Sequence, residues 1–211
     1  MAKAPEVPKE TLIDKVIENV DGRHARRERG RFAVIDAMLS LVSEGHVPPT
    51  VEQVAERAGV SNASVFRYFD TLEDLRQATT DVFFERNQHL FEIADIGEGP
   101  LSHRIETFTA ASLVLFEENE PMARLVRLQA NQVTAANELL HRLRATRADQ
   151  VRHHFDDEFQ AMSPATQADV VMVIATLTSF ESWDQARHDH QRSRAQVRRA
   201  WVAALTKLLA S

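Results

Sequence analysis

The sequence of 211 residues predicts an all-α fold. Apolar residues recur at helical spacing along the chain, and no segment of useful length alternates apolar and polar residues as a strand does. Glycine is scarce, with six residues. Pro121 and Pro164 stand where the first turn of a helix tolerates proline. We therefore expect a small N-terminal helical domain followed by a larger helical domain.

The first 22 residues form an N-terminal extension, in which a short extra helix is predicted over 11–20. Asp21 and Gly22 are expected to end this helix. The first core helix should then run over 26–43. Its inner face is predicted to carry four apolar side chains: Phe32, Ile35, Leu39 and Val42.

Residues 50–69 contain the most informative pattern in the chain, two short helices joined by a tight turn. Thr50 followed by Gln53 fits a capping box at the start of the first helix. Gly59 suits the left-handed backbone that ends it, and Ser61 can cap the second helix. We expect an apolar stripe on each helix, formed by Val51, Val54, Ala55 and Ala58 and by Val65, Phe66 and Phe69. This layout is typical of a helix-turn-helix that reads DNA.

The same region resembles the tetracycline-repressor (TetR) family of bacterial one-component regulators. The resemblance rests on Thr50-Val51, Ala58-Gly59-Val60-Ser61, Phe66-Arg67-Tyr68-Phe69 and Thr71-Leu72-Glu73-Asp74-Leu75. It implies a DNA-binding domain over 23–71 and a helical domain over 72–211 that binds an effector and dimerises. Phe66, Tyr68 and Leu72 depart from the family, which commonly has Tyr, His and Lys at these positions. The extension would pack on the rest of the chain or a partner, with DNA contact as the alternative.

The residues expected to contact DNA lie on the second short helix and at the start of the first core helix. Asn62 and Arg67 can make bidentate contacts to adenine and guanine, respectively. Arg29 and its basic neighbours are expected on phosphates or in a minor groove. The predicted DNA-binding residues are Arg27, Arg29, Arg31, Thr50, Ser61, Asn62, Ala63, Ser64, Arg67 and Tyr68.

The net charge of −6 does not itself indicate a nucleic-acid partner. However, five arginines between positions 23 and 31 are opposed there by a single acid, Glu28. Attraction to phosphates acts over about 8–10 Å at physiological salt, so acids in a distant domain hardly weaken it. The motif, rather than the charge, predicts DNA binding.

The remainder of the chain predicts helices throughout. The segment 72–94 should form one long helix that links the two domains, before a break at Gly97-Glu98-Gly99-Pro100. The later helices are predicted over 101–118, 121–132, 134–159, 164–187 and 195–210.

The last two predicted helices carry apolar bands suited to a dimer interface, although packing within one chain would also explain them. In the resembling family these helices pair with their copies as a four-helix bundle. The predicted interface residues are Val170, Ile174, Leu177, Val197, Trp201, Leu205 and Leu208.

The resemblance also implies a cavity for a small apolar effector among the helices of the C-terminal domain. Core packing is the simpler role for any one of its candidate residues. Arg124 and Arg127 could face an acidic effector, or solvent equally well. The predicted ligand-binding residues are Phe108, Phe116, Met122, Leu125, Gln129, Met172, Thr176 and Phe180.

We expect no metal, cofactor or catalytic site. Adjacent His153 and His154 point about 100° apart on a helix, so a solvated helix edge explains them better than a shared ion. The His188-x-His190 pair is interpreted as a frayed helix end. The sequence contains no cysteine, no membrane-length apolar run and no secretory signal, and we expect a cytoplasmic protein.

The sequence therefore predicts a DNA-binding transcriptional regulator, most simply a dimeric repressor that leaves a palindromic operator when it binds its effector. Two alternatives come from other classes. One is a helical protein-interaction module that has lost DNA binding, which the departures at Phe66 and Leu72 would suit. The other is a small helical enzyme that uses the cavity of the C-terminal domain.

Overall fold

The computed structural model describes the backbone of residues 12–210 and the side chains of residues 24–210. Every regular element in this part of the chain is helical, so the predicted all-α fold is confirmed. The chain divides into two compact units, residues 1–82, which we call the head, and residues 83–211, which we call the body. Among the described helices, none combines the length and the apolarity that a membrane crossing requires.

The head contains α1 (Leu12–Ser43), α2 (Val51–Ala58), α3 (Asn62–Tyr68) and most of α4 (Leu72–Arg86). Side chains from all four helices meet in one core. Burial of a large apolar side chain contributes roughly 1.5–3 kcal/mol, so this core stabilises the short helices that could not persist alone. Its largest members are Val34, Ile35, Met38, Leu41, Val54, Val65, Phe69 and Leu75.

Helix α1 differs from the prediction in two ways. It is continuous over 12–43, so Asp21 and Gly22 do not separate two helices. A single glycine costs a helix only about 1 kcal/mol, which the turns on either side can offset. Phe32 is also 43% exposed rather than on the inner face. The apolar side chains of the extension itself lie outside the described part of the chain.

The body begins with the last residues of α4, followed by a 3₁₀ turn, Gln88–Phe91. Two long helices come next, α5 (Leu101–Ala130) and α6 (Thr134–His154). The chain then forms α7 (Asp156–Phe159), α8 (Pro164–Leu177), α9 (Phe180–Asp184), a π-helical turn (Gln185–Asp189) and α10 (Arg194–Leu209).

Helix α5 passes through Pro121, where the sequence predicts a break between two helices. Proline removes one amide hydrogen bond and crowds the preceding turn, at a cost of about 3 kcal/mol. The next turn buries Met122, Leu125 and Val126, each no more than 4% exposed. Their burial offsets the cost of the proline, so tertiary packing overrides the local signal.

Two of the predicted helices end early because a side chain competes with the helix backbone. Helix α4 stops at Arg86 rather than near position 94, since Asn87 Nδ2 donates to the carbonyl of Phe83 at 2.8 Å. Helix α8 stops at Leu177, because Ser179 accepts a hydrogen bond from the Ser182 amide at 3.2 Å and so caps α9. Such local bonds favour caps and turns over helix interiors.

The predicted helix over 134–159 is also divided. Phe155 has ψ of 28°, outside the helical range, and separates α6 from α7. Its ring is fully buried against Phe108, with 5.4 Å between ring centroids. The residue that interrupts the helix is thus also one whose ring is buried in the core of the body.

A buried arginine joins the segments at one end of the body. Arg104, 3% exposed, donates to both carboxylate oxygens of Glu158 at 2.8 and 2.6 Å. Its Nε donates to the carbonyl of Gly99 at 3.0 Å, and Nη1 also donates to the carbonyl of His154 at 2.8 Å. Charge-assisted bidentate bonds of this kind compensate for the desolvation of both ions.

His154 belongs to the same network and is fully buried, which contradicts the predicted solvated edge; only His153 is exposed. Its Nδ1 accepts from the Gly97 amide at 3.0 Å, and its Nε2 lies 2.8 Å from the carbonyl of Arg104. The amide can only donate and the carbonyl only accept. The ring is therefore neutral, with its proton on Nε2.

This neutral histidine should make the body sensitive to acid. Burial lowers the pKa of His154 below its ordinary value of 6.5, so the unfolded chain binds a proton more readily than the folded chain. The free energy of unfolding should be fully retained above about pH 6.5 and should fall as the pH drops below it. Thermal unfolding of wild type, His154→Gln and His153→Gln between about pH 8 and about pH 5 measures this.

In that experiment His154→Gln should flatten the acid-side loss, because glutamine can donate in place of Nε2 and does not titrate. His153→Gln, at the exposed neighbour, should keep the wild-type pH dependence. An unchanged dependence in His154→Gln would assign the titration to another group.

Candidate nucleic-acid interface and body cavity

The turn between α2 and α3 has the predicted geometry. Thr50 Oγ1 accepts from the Gln53 amide at 3.3 Å, and Gln53 Oε1 accepts from the Thr50 amide at 2.9 Å, which completes the capping box. Gly59 has φ of 67° and ends α2 in the left-handed region. Ser61 Oγ accepts from the Ser64 amide at 3.2 Å at the start of α3.

The exposed surface of α3 is short and mostly polar. Asn62, Ala63 and Arg67 are exposed, and Ser64 is half-buried. Arg67 Nη2 donates to Ser64 Oγ at 3.2 Å, and its guanidinium lies 5.3 Å from the ring of Tyr68. The base-reading candidates therefore share one accessible side of the helix.

Phe66 also lies on the outside of α3, where it is 48% exposed. The prediction that it joins the apolar stripe of the second helix is wrong, since Val65 and Phe69 alone are buried there. Phe66 follows Asn62 by four residues, so the two side chains neighbour each other on the helix surface. The common tyrosine at this position in the resembling family was a signal that it faces outward.

The predicted phosphate-binding arginines do not share one environment. Arg27 and Arg29 are exposed on α1. Arg31 is half-buried, with its guanidinium 5.1 Å from the centroid of the Phe69 ring. This stacking holds Arg31 against the end of α3.

Contacts from α1 fix the positions of the two short helices. Arg57 of α2 donates to both carboxylate oxygens of Glu44 at 2.7 Å and to Ser40 Oγ at 2.7 Å. The hydrogen bond from Arg57 lowers the pKa of Glu44 to about 2, so this pair stays ionised across the physiological range. Tyr68 of α3 lies against Gly30, where a Cβ atom would come 2.3 Å from the tyrosine hydroxyl.

The body contains a cavity of about 670 Å³, within the size range of small-molecule sites. The segment after residue 82 and helices α5, α6, α8 and α9 supply its walls. Most of the lining is apolar, and it includes five phenylalanines: Phe83, Phe84, Phe91, Phe116 and Phe180.

An ion-pair cluster forms one polar part of the cavity lining. Glu181 accepts from Arg144 at 2.8 Å and from Arg127 at 3.2 and 3.3 Å. Burial alone would raise the pKa of Glu181, but the hydrogen bonds from Arg144 and Arg127 outweigh it and bring the pKa to about 2. Arg127 also lies over the ring of Phe180 at 4.2 Å.

The predicted ligand-binding residues divide into two groups. Those that line the cavity are Phe116, Met122, Met172, Thr176 and Phe180. Phe108 and Leu125 are instead core residues, 0% and 2% exposed, and Gln129 also lies outside the lining. Sequence reasoning missed Arg147, which lines the cavity; Arg144, three residues earlier on α6, was not a candidate either, so their spacing gave no usable signal.

The predicted dimer residues are largely occupied by packing within the chain. Ile174, Val197, Trp201 and Leu205 are at most 3% exposed. Ile174 and Leu205 belong to the same core cluster as Phe108. Val197 and Trp201 belong to the cluster around Trp183. Val170, Leu177 and Leu208 are partly buried. For the four buried residues the intrachain explanation therefore applies, and α8 instead exposes Met172 and Val173.

His188 lies beside two carboxylates, in a π-helical turn rather than at a frayed helix end. Its Nε2 lies 3.1 Å from Glu120 Oε1 and 3.5 Å from Asp184 Oδ1. These three groups have metal-ligand chemistry. However, Arg124 donates to both carboxylates, 3.0 Å from Glu120 and in close contact with Asp184. The guanidinium already supplies the positive charge that a metal ion would bring.

The capped turn, the packed second helix and its exposed polar side chains define a helix-turn-helix DNA-binding domain. Residues 37–79 match the family model described as "Bacterial regulatory proteins, tetR family". This match identifies a TetR-type DNA-binding domain in the head, and the chain has the fold of a TetR-family transcriptional regulator.

Solved structures agree with this assignment at the level of the fold. A TetR-family transcriptional regulator from Streptomyces coelicolor is 22% identical, with a TM-score of 0.69 over 87% of this chain and 81% of that chain. A transcriptional regulator from Rhodococcus sp. Rha1 is 14% identical, with a TM-score of 0.63 over 87% of this chain and 96% of that chain. A comparison with curated proteins returned no match.

The contact between Gly30 and Tyr68 gives a test of how α1 positions α3. Alanine normally stabilises a helix by about 1 kcal/mol relative to glycine. Here we expect Gly30→Ala to lower Tm and weaken DNA binding, because the new Cβ displaces the tyrosine ring. Circular dichroism and a DNA-binding titration measure the two effects. Adding Tyr68→Leu should restore Tm, whereas a raised Tm in the single variant would contradict the contact.

Proposed function

We propose that the protein is a repressor that binds a palindromic operator as a homodimer and leaves it when a small-molecule effector occupies the body cavity. The observation that carries this proposal is the surface of α3, where Asn62, Ala63 and Arg67 are exposed on a helix fixed by α1 and α2. As a regulator of bacterial genes, it would act in the cytoplasm.

Sequence would be read by α3 in the major groove. Asn62 and Arg67 have the geometry for bidentate contacts to adenine and guanine, and Ala63 allows the helix to approach a thymine methyl. Thr50, Ser61, Ser64 and Tyr68 would complete the contacts to the backbone. At the α1 edge, Arg27, Arg29 and Arg31 would neutralise phosphates or enter a minor groove.

A dimer would place two copies of α3 on the DNA. Two copies of α3 related by a two-fold axis would reach successive major grooves about 34 Å apart, which makes the operator a palindrome. We assign the dimer contact to α8 and α10, the helices that pair in the TetR family. Because Ile174 and Trp201 already pack inside the chain, the contact would use the outer faces of these helices, including Val173 on α8.

Release would follow from a difference in affinity. An effector that binds the body more tightly in the conformation unable to span both half-sites weakens operator binding by that difference. The cavity in the body has the volume and the mainly apolar lining that such a ligand needs.

Selection of bound DNA from a random-sequence pool at physiological salt tests the proposal as a whole. We expect a palindrome whose half-site centres lie about one helical turn, or a small multiple of it, apart. A folded, dimeric protein that enriches no sequence would overturn it. A helical protein-interaction module that has lost DNA binding would then be the better explanation, since the exposed Phe66 lacks the hydroxyl that is common at this position in the TetR family.

Two arginine variants separate base reading from phosphate binding. Arg67→Ala should cost about 1–3 kcal/mol on the best operator and relax specificity at one base position. Arg29→Ala should weaken all sequences alike and reduce the salt slope by about one. Fluorescence anisotropy with operator and scrambled DNA at several salt concentrations measures both. Equal, sequence-independent losses from the two variants would mean that α3 does not read bases.

A third variant tests the outward position of Phe66. Phe66→Tyr places a hydroxyl on the DNA side of α3, where we expect it to donate to a phosphate. Affinity should then rise roughly two- to tenfold on every sequence, the usual strength of one hydrogen bond. Phe32→Tyr, at another exposed phenylalanine of the head, is the matched control and should leave affinity unchanged. An equal gain from both variants would contradict a specific phosphate contact.

A further inference from the structure

Within the part of the chain that the structure describes, one positive charge in the body cavity has no negative partner. Arg147 of α6 lines the cavity. Its Nη2 donates to Ser112 Oγ and, at 3.2 Å, to the carbonyl of Thr178, and its guanidinium lies 4.0 Å above the ring of Phe108. These two bonds use two of the five N–H donors of the group, which leaves three unused. The Nε atom is buried and has no hydrogen-bond partner.

Each of the other three arginines of the cavity lining forms an ion pair with a carboxylate. Arg127 and Arg144 share Glu181, and Arg152 pairs with Asp149 at 2.7 Å. Among the described residues, Arg147 forms no ion pair with a carboxylate. Four arginines line the cavity, with Glu181 in the lining and Asp149 beside Arg152 as their acidic partners, so the cavity keeps a net positive charge.

Arg104 shows how this chain satisfies a buried arginine that has a structural role. Both of its terminal nitrogens meet Glu158, and its Nε meets a backbone carbonyl. Arg147 donates to the carbonyl of Thr178 and the hydroxyl of Ser112, but no carboxylate of the described residues accepts from it. If its role were only to join α6 to Ser112 and Thr178, a neutral donor would serve without the cost of burying a charge.

The charge on Arg147 persists at neutral pH in spite of this cost. Burial lowers the pKa of Arg147 to about 9, well below the ordinary arginine value of 12.5 but still above neutrality. The cavity therefore holds a partly desolvated cation, and a bound anion would compensate for its lost hydration.

We propose that the effector is an amphipathic carboxylic acid, whose carboxylate pairs with Arg147 and whose apolar body lies among the phenylalanines of the cavity. This inference rests on the proposed role of the cavity as the effector site. The planar guanidinium, with unused donors, matches a carboxylate in shape as well as charge. The phenylalanine walls, such as Phe116 and Phe180, favour an aromatic or long aliphatic body over a small inorganic anion.

Calorimetric titration of the full chain tests the inference with matched ligands. The probes are 2-naphthoic acid and decanoic acid, each beside its primary amide, with sodium phosphate as an inorganic anion. We expect at least one acid to bind roughly ten- to hundredfold more tightly than its amide, the usual contribution of a charge-assisted pair. Equal binding of acid and amide, binding of phosphate alone, or binding of no probe would overturn it.

Three variants assign the selectivity to Arg147. Arg147→Met keeps the length and apolar stem of the side chain and should abolish the preference for acid over amide. Arg147→Lys, which keeps the charge without the planar fork, should retain part of it. Arg144→Met removes a cavity arginine that already has a carboxylate partner and should leave the preference unchanged. A full preference in Arg147→Met, folded by circular dichroism, would contradict the assignment.

Operator binding in the presence of the acid separates this inference from the proposed function. If the acid binds through Arg147 and leaves DNA affinity unchanged, the ligand class stands and the effector role of the cavity fails. If a neutral ligand releases the DNA and the acids do not bind, the effector role stands and the ligand class fails.

Discussion

The guanidinium of Arg104 holds together three segments that otherwise diverge. It bonds Gly99 before α5, His154 at the end of α6 and Glu158 in α7, and the carbonyl of Arg104 itself meets the His154 ring. Removing one partner of such a buried pair costs about 3–5 kcal/mol, because the other charge is left unpaired. The start of α5 and the end of α6, two helices that also line the cavity, are thereby fixed relative to each other.

The turn from α2 to α3 could be predicted from sequence almost residue by residue, because its signals are local. The Thr50 hydroxyl and the Gln53 side chain cap the first turn of α2, and Gly59 ends its last turn, so each signal acts on backbone groups within about one helical turn of itself. The helix ends of the body could not be predicted in this way. Pro121 lies inside a helix and Phe155 interrupts one, since burial against distant parts of the chain decides both.

The same distinction applies to the charged groups of the body. Arg124 and Arg127 were reasonable sequence candidates for an acidic ligand, yet each finds a carboxylate in α9. Arg124 has a local partner in Glu120, four residues earlier, but its second partner, Asp184, is 60 residues away along the chain, and no local pattern reveals that pairing. Which arginine remains without a partner is thus a property of the fold, and Arg147 could be identified only from the structure.

Pro121 has a mechanical consequence for the cavity. A helix of 30 residues is about 45 Å long and normally resists bending along its whole length. The backbone hydrogen bond that is missing at the proline makes one turn softer than the rest, next to the cavity-lining Asn119 and Met122. Under the proposed effector role, molecules of different shape would be accommodated by a small change in helix curvature, without repacking of the aromatic walls. A change of effector during evolution would then need few substitutions in the core.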